Sequence, residues 1–391
     1  MPTATAPKLR SIEHVHGTDD QAIAITALLQ RGNTLYCGLT AGRYALVPFD
    51  LDTRKFGKPV DLFPWVDDRP QTVLSKIHNG MGLLDNGKLV IGEGVLFTWD
   101  GLPFEYSDSL LAETNHRRGC CGLAPLKHER IGTPDLASFD LRTMKGGKVL
   151  VYDPDNGSID TIGQVQPFNY VQSMIVDPKR RRAYGHTLGD CHFFDVNIDA
   201  RTIEDHGRIS TFGFHNLCII NGVVYGAWVD FDAQEALRIL RFDPDKPNAF
   251  LERLPQWYLP SAGPRVQGNR GIDQWLVHSD GTIYVGMAGS GVLYKFDPKL
   301  LTTTSIGRIG QGGRVTSLVE DELGRVIFTG GFPRMHIGRY DPRDGQIEDF
   351  GPVTDRYEKI YFHGCAYSHG ALWLAETDAG VASLWEVHLP E

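Results

Sequence analysis

A unit that recurs every 40 to 50 residues, roughly the period of propeller blades, limits the fold of this chain more than any single motif. Each unit starts with an apolar strand, turns at Asn-Gly, Asp-Gly or Asp-Pro, and continues in a second strand that ends near Gly. A third strand then closes on Phe-Asp or Tyr-Asp, as in "YVQSMIVDPKRRRAYGHTLGDCHFFDVN" and "DQWLVHSDGTIYVGMAGSGVLYKFDP". Short alternating strands separated by such turns are typical of an all-β protein.

The chain contains seven such units, the last of which has only three strands. The segment "LRSIEH" near the N-terminus reads as one more strand. A single blade cannot bury both of its faces, but seven blades stacked around an axis can. We therefore predict one seven-bladed β-propeller over residues 1–391, with four-stranded antiparallel blades. The N-terminal strand is expected to close the last blade and remove an exposed sheet edge.

Composition restricts the location and partners of the protein. Of the 391 residues, 41% are hydrophobic and the net charge is -9, which argues against nucleic acid as a partner. No apolar run is long enough for a membrane span, and the start "MPTATAPKLRSIEH" has no apolar signal segment. The six scattered Cys favour a reducing compartment. We expect a cytoplasmic monomer, or a secreted or periplasmic one if a signal was trimmed from the sequence.

The second unit carries a long insertion at about residues 98–147, and long loops inside compact domains are usually functional or disordered. It includes "NHRRGCCGLAPLKHER", where two thiols and two imidazoles could bind a structural zinc ion. The predicted ligands are His116, Cys120, Cys121 and His128. Their spacing is not that of a standard zinc finger, and buried free thiols are the alternative.

Polar residues begin the innermost strands of several units, where propellers line their central channel. Those at strand starts are His78, Tyr170, His215, Arg314 and His363. Those at the ends of second strands are Glu93, His186, Trp228 and Glu376. Imidazoles, a phenol and a guanidinium that converge on one mouth would suit acid–base or metal chemistry. The alternative is that these side chains fill the channel as hydrogen-bonded structural residues.

Three features resemble the seven-bladed propeller polysaccharide lyases, most closely ulvan lyases, with oligogalacturonate lyases as relatives. They are the His-bearing hairpin "SKIHNGMGLLDNGKLVIGEG", the insertion in the same blade, and "FNYVQSMIVDPKRRRAYGHTLGDCHFFDVN" in the next one. The resemblance implies β-elimination at a uronic acid within an acidic polysaccharide or oligosaccharide.

The resemblance also implies roles for individual residues. His78 and Tyr170 would be the base and the acid. A cation would neutralise the substrate carboxylate, with Arg314 as the first candidate and Arg270 as the second. This chain has Glu93 where the family pattern has another His, and His186 where it has an Arg.

Oligogalacturonate lyases instead use a His-ligated divalent metal to neutralise the carboxylate. An ion such as Mn or Ca at the channel mouth would then be bound by His78, His186, His215 and His363. Glu93, Trp228 and His363 would contact the substrate.

Two other functions fit the same seven units, because a fold does not determine an activity. One is a metal-dependent lactonase or ring-opening lyase of the propeller type. The other is a non-catalytic propeller that binds a ligand or a protein. The chain has no Gly-rich phosphate loop and no Gly-x-Ser-x-Gly motif, so nucleotide binding and serine hydrolase chemistry are unsupported.

Overall fold

The computed structural model describes most of the chain. The described residues are 8–12, 22, 24–40, 45–62, 73–97, 108–120, 125, 146–167, 169–188, 191–209, 216–230, 236–246, 251–253, 271–288, 290–331, 334–377 and 381–390. Within these ranges the chain forms thirty strands and one helix. The strands assemble into seven antiparallel sheets arranged in a ring, which confirms the predicted seven-bladed β-propeller.

The first two blades contain the main irregularity of the ring. Strand β1 (Lys8–Ile12) stands apart from the first blade, which is built from β2 (Ala24–Arg31), β3 (Thr34–Thr40), β4 (Leu46–Asp50) and β5 (Lys55–Phe56). Two short strands, β6 (Val73–Lys76) and β9 (Gly94–Phe97), pair with each other and extend this sheet through one pairing of Thr40 with Lys76. The second blade consists of β7 (Met81–Leu83), β8 (Leu89–Gly92), β10 (Lys148–Asp153) and β11 (Ser158–Gln164).

The third to fifth blades each contain four consecutive strands. The third has β12 (Tyr170–Asp177), β13 (Arg182–Leu188), β14 (His192–Asn197) and β15 (Thr202–Arg208). The fourth has β16 (Leu217–Ile220), β17 (Val223–Asp230), β18 (Ala236–Phe242) and β19 (Leu251–Arg253). The fifth has β20 (Gly271–Val277), β21 (Ile283–Ala288), β22 (Val292–Asp297) and β23 (Thr302–Arg308).

The ring closes through the N-terminal strand, as the sequence predicted. The sixth blade has β24 (Arg314–Glu320), β25 (Val326–Gly331), β26 (His336–Asp341) and β27 (Gln346–Pro352). The seventh has β28 (Phe362–Ser368), β29 (Ala371–Glu376) and β30 (Leu384–His388). Strand β1 pairs antiparallel with β30, from Lys8 opposite His388 to Ile12 opposite Leu384. This pairing covers the edge that β30 would otherwise expose.

The core lies between neighbouring blades, and small residues let the blades approach. In one cluster Ala227 and Ile239 of the fourth blade pack with Val285 of the fifth. A Cβ atom added to Gly92 would lie 2.5 Å from Val171 of the next blade, and one added to Gly286 would lie 2.4 Å from Val315. The glycines near the ends of the second strands are therefore needed for blade packing.

The interval between β8 and β10 contains β9 and the helix α1 (Asp108–Cys120). The sequence predicted a long irregular insertion here but no helix. No helix in the described residues is long and apolar enough to span a membrane.

Candidate functional site

The innermost strands of five blades share a change of register near their starts. The changes fall between Ile25 and Ala27, Val171 and Ser173, Ile272 and Gln274, Arg314 and Ser317, and Phe362 and Gly364. An extra residue in one strand redirects side chains, and such bulges are common next to functional sites. The residues at these irregularities include Thr26, Gln172, Asp273, Thr316 and His363, which places polar groups at one level around the axis.

Several of these polar groups join one blade to the next. The Thr26 hydroxyl donates a hydrogen bond to the Ile77 carbonyl over 2.7 Å. In the same way the Thr316 hydroxyl donates to the Phe362 carbonyl, and the Asn216 amide donates to the Asp273 carbonyl. Some of these polar residues therefore have the hydrogen-bonded structural role that the sequence left open as the alternative.

His78 occupies the equivalent place in the second blade and is 2% exposed. Its Nδ1 lies 2.8 Å from the Gln172 carbonyl oxygen of the third blade. A carbonyl oxygen can only accept, so Nδ1 carries the proton and donates it. Burial, and then the charge of Lys76, hold the pKa of His78 well below its usual range although the Gln172 carbonyl opposes them. The imidazole is therefore neutral near pH 7, with its lone pair on Nε2.

His363 of the seventh blade lies next to His78. The ring centroids are 5.5 Å apart, and the rings meet edge to face. Burial is the largest cause of a lowered pKa of His363. The charges of nearby residues lower it further, in the order Arg314, His78, Lys76 and Lys359. The Tyr361 ring lies 5.5 Å from the His363 ring, centroid to centroid. Two imidazoles that stay neutral thus lie together among cationic side chains.

Arg314 begins β24, as predicted, and is paired with an acidic residue. Its Nε and Nη2 donate to the two carboxylate oxygens of Asp273 in the fifth blade, over 2.6 and 2.7 Å. Both residues are buried. The guanidinium carbon also lies 5.6 Å from the centre of the Tyr361 ring. Asp273 therefore offsets part of the positive charge at the mouth.

Three further predicted site residues are buried: Tyr170, His186 and Glu93. Tyr170 is the first residue of β12, two positions before the carbonyl that His78 contacts. His186 lies in β13 opposite Ser173, and its charge further lowers the pKa of His78. The Glu93 carboxylate accepts a hydrogen bond from the Lys148 backbone N–H over 3.1 Å.

Some predicted site residues lie outside the described residues or are described only in part. His215, Arg270, Cys121 and His128 lie outside them. The backbone of Trp228 is described in β17, where it pairs with Arg238.

The predicted zinc site is described for two of its four ligands. His116 and Cys120 are exposed on α1, one helical turn apart, with 3.9 Å between Nε2 and Sγ. That spacing would let both contact one ion. The zinc remains a proposal.

The predicted divalent ion at the mouth also remains a proposal. Within the described residues, the only three acidic, His or Cys ligand atoms that lie within 4.8 Å of one another belong to Asp195, Glu204 and His206 of the third blade. An ion held by His78, His186 and His363 would therefore require these side chains to move.

A cavity of about 220 Å³ continues from this level along the axis. Every blade contributes an innermost-strand or adjoining residue to its lining: Leu28, Asn79, Ser173, Asn216, Gln274, Ser317 and His363. The channel is therefore shared by all seven blades, and His363 lies where the candidate site and the channel meet.

Four residues around the site were not predicted from the sequence: Asp273, Lys76, Lys359 and Tyr361. Asp273 could have been found by aligning "GIDQ" with "KIHN" and "YFHG", because it occupies the place of His78 and His363. Lys76 and Tyr361 share one position of that alignment, two residues before the histidines, but Gly271 occupies it in the fifth blade, so the residue type there is not repeated. Lys359 lies outside the aligned segments.

No protein-family model matches the sequence, and no curated protein matches it significantly. Solved structures match nearly the whole chain. Virginiamycin B lyase from Staphylococcus aureus has a TM-score of 0.60 at 10% identity, over 98% of this chain and 100% of that one. A streptogramin B lyase has a TM-score of 0.58 at 12% identity, over 98% of each chain.

A third similar structure is the extracellular domain of a hybrid two-component system from B. thetaiotaomicron. It has a TM-score of 0.56 at 12% identity, over 97% of this chain and 39% of that one. At these identities the likenesses show the fold alone. They support the propeller part of the resemblance to polysaccharide lyases and do not support its uronic-acid part.

Proposed function

We propose that this propeller is a lyase that cleaves an acidic polysaccharide or oligosaccharide by β-elimination at a uronic acid. One observation carries the proposal. The hydrogen bond from His78 Nδ1 to the Gln172 carbonyl sets the tautomer, so Nε2 is the nitrogen through which the neutral imidazole would act as a base. His78 Nε2 would remove the proton beside the uronate carboxyl group, and the electrons of that C–H bond would form the new double bond.

The charges around His78 support an anionic substrate. The charges of Lys76, Arg314 and Lys359 all lower the pKa of His363, and those of Lys76 and Arg314 also lower the pKa of His78. Fixed positive charges in a buried site stabilise the negative charge that develops on the carboxyl group during proton removal. Arg314 remains the first candidate for contact with the carboxylate, although Asp273 already binds two of its nitrogens.

The departing glycosidic oxygen needs a proton as its C–O bond breaks. The resemblance implies Tyr170 for this step. Tyr361 is the alternative, because its ring lies beside both His363 and the Arg314 guanidinium. A nearby cation favours the ionised form of a phenol, so it eases proton transfer.

Ultraviolet absorbance tests this function directly, because β-elimination leaves a conjugated double bond in the product. The protein is incubated separately with ulvan, polygalacturonate, glycosaminoglycans and alginate. We expect absorbance to rise with at least one of them. Loss of that activity in EDTA with the fold intact would indicate a catalytic metal. No rise with any substrate would contradict the proposal and favour a non-catalytic binding propeller.

A ring-opening lyase is the second candidate, and the whole-length likeness to virginiamycin B lyase favours it. The structure of a catalytically inactive variant of that enzyme, with alanine in place of a histidine, contains quinupristin. It matches this chain with a TM-score of 0.59. A base such as His78 would suit this elimination as well. Ring opening by elimination gives a product of unchanged mass, so chromatography with mass spectrometry on quinupristin separates this function from hydrolysis.

A further inference from the structure

Helix α1 of the insertion is fastened to the seventh blade by a buried ion pair. Arg117 Nη1 and Nη2 donate to the two carboxylate oxygens of Glu376 over 2.8 and 2.9 Å. Arg117 is 4% exposed and Glu376 is fully buried. Glu376 ends β29, so the contact lies at the same end of the blade as the start of β28, which carries His363.

Both partners of this pair have further contacts. The Trp385 indole N–H donates to the Glu376 carboxylate over 2.8 Å. The Arg117 guanidinium carbon lies 3.8 Å from the centre of the Tyr357 ring, a stacking contact that suits a planar cation. A buried ion pair is maintained only when its geometry and surrounding contacts compensate for lost hydration. We refer to Arg117, Glu376, Trp385 and Tyr357 as the clasp.

The same helix holds the link between β27 and β28. The Glu113 carboxylate accepts a hydrogen bond from the Glu358 backbone N–H over 2.8 Å. The Ser109 hydroxyl donates to the Glu358 carboxylate over 3.0 Å. The link continues from Tyr357 and Glu358 into Lys359, whose charge lowers the pKa of His363, and Tyr361, whose ring lies beside that of His363.

We propose that Arg117 is a positioning residue for the candidate site. By holding Tyr357 and Glu376, it fixes the link that brings Lys359 and Tyr361 to the mouth. Helix α1, which lies between β8 and β10 of the second blade in the chain, is in this way attached to the seventh blade next to the site. Its effect on turnover rests on the proposed function, whereas its effect on the link does not.

The test compares two matched double variants, each of which removes an ion pair between an Arg and a Glu of the seventh blade. The double variant Arg117→Met/Glu376→Gln removes both charges and keeps similar volumes, which avoids an unpaired buried charge. The control is Arg54→Met/Glu386→Gln. Arg54 also forms a two-pronged ion pair, over 2.9 and 3.0 Å, with a Glu of this blade. Glu386 pairs with Trp373 and so lies farther from the mouth than Glu376, at which β29 ends.

Amide hydrogen exchange and steady-state kinetics are measured on both double variants. We expect faster exchange in residues 108–120 and 357–361 of the clasp variant and not of the control. We expect its kcat to fall by roughly 10- to 100-fold, with a smaller change in KM, because misplaced catalytic groups lose rate steeply. The single variant Arg117→Lys keeps the positive charge but not the two-pronged hydrogen bonding of a guanidinium. Its exchange rates and kcat should lie between those of Arg117→Met/Glu376→Gln and those of the wild type.

Unchanged exchange at 357–361 in the clasp variant would overturn the proposal. So would faster exchange there with an unchanged kcat, because the clasp would then order the link without serving the reaction. A wild-type protein inactive on every substrate would contradict the proposed function, while exchange at 357–361 would still decide whether Arg117 holds the link.

Discussion

The imidazole rings of His78 and His363 lie 5.5 Å apart, centroid to centroid, although they come from the second and seventh blades. Along the chain the third to sixth blades separate the two residues, and around the ring the first blade lies between them, so only a closed ring brings the two side chains together. Both are buried and both have a lowered pKa. This pair, with the cations around it, is the basis for the proposed function.

The pH dependence of activity should report the lowered pKa of His78. A base must be deprotonated to act, so the acidic limb of kcat/KM should lie below about pH 6.5, the ordinary pKa of His. The nearby charge of Lys76 disfavours the imidazolium, so Lys76→Met should raise the pKa and move the limb to higher pH. Lys88→Met, which alters a lysine paired with Asp153, is the control. A limb that does not move in Lys76→Met would contradict this assignment.

The Arg314–Asp273 pair should be important for stability as well as for the site. Asp273→Ala leaves a buried guanidinium without its partner carboxylate, so we expect the free energy of unfolding to fall by about 3–5 kcal/mol. The double variant Arg314→Met/Asp273→Leu should recover most of that loss but not the activity. Urea unfolding followed by circular dichroism measures both. Equal losses in the single and double variants would argue against this explanation.

His278 should make stability depend on pH in a defined direction. Burial lowers its pKa, but the Gly324 carbonyl, Asp280 and Glu320 raise it more, so the net shift is upward. Its stabilising contribution is therefore fully present below about pH 6.5, the unfolded value, and is lost as the pH rises through the folded pKa. We expect His278→Gln to destabilise the protein more at pH 5.5 than at about pH 8.5. An equal loss at both pH values would contradict the prediction.

Closure by β1 can be tested by truncation. Removal of residues 1–12 deletes the strand that pairs with β30 and exposes an edge of the seventh blade. We expect a lower Tm and concentration-dependent association, measured by calorimetry and light scattering. A truncated protein with the same Tm as the full chain would show that the strand does not stabilise the ring.

The sequence was sufficient to predict the repeat but not the contacts between distant segments. Alternating strands and their turns are local signals, so the blades, the N-terminal closure and the position of Arg314 at a strand start could all be predicted. The Arg117–Glu376 clasp joins a helix in an insertion to the end of a distant strand, and no period relates them. The tautomer of His78 likewise depends on a carbonyl in the next blade, which only the assembled ring brings near.

Chemical rescue tests the role of His78 most directly. His78→Ala removes the proposed base and leaves space for a small molecule, and general bases typically contribute about 10²- to 10⁴-fold to the rate. On a substrate that the wild type cleaves, we predict such a loss in His78→Ala and its partial recovery with added imidazole. His336→Ala, at a histidine paired with Asp349 on the outer strands, should keep its activity. Near-wild-type elimination by His78→Ala without imidazole would contradict the account.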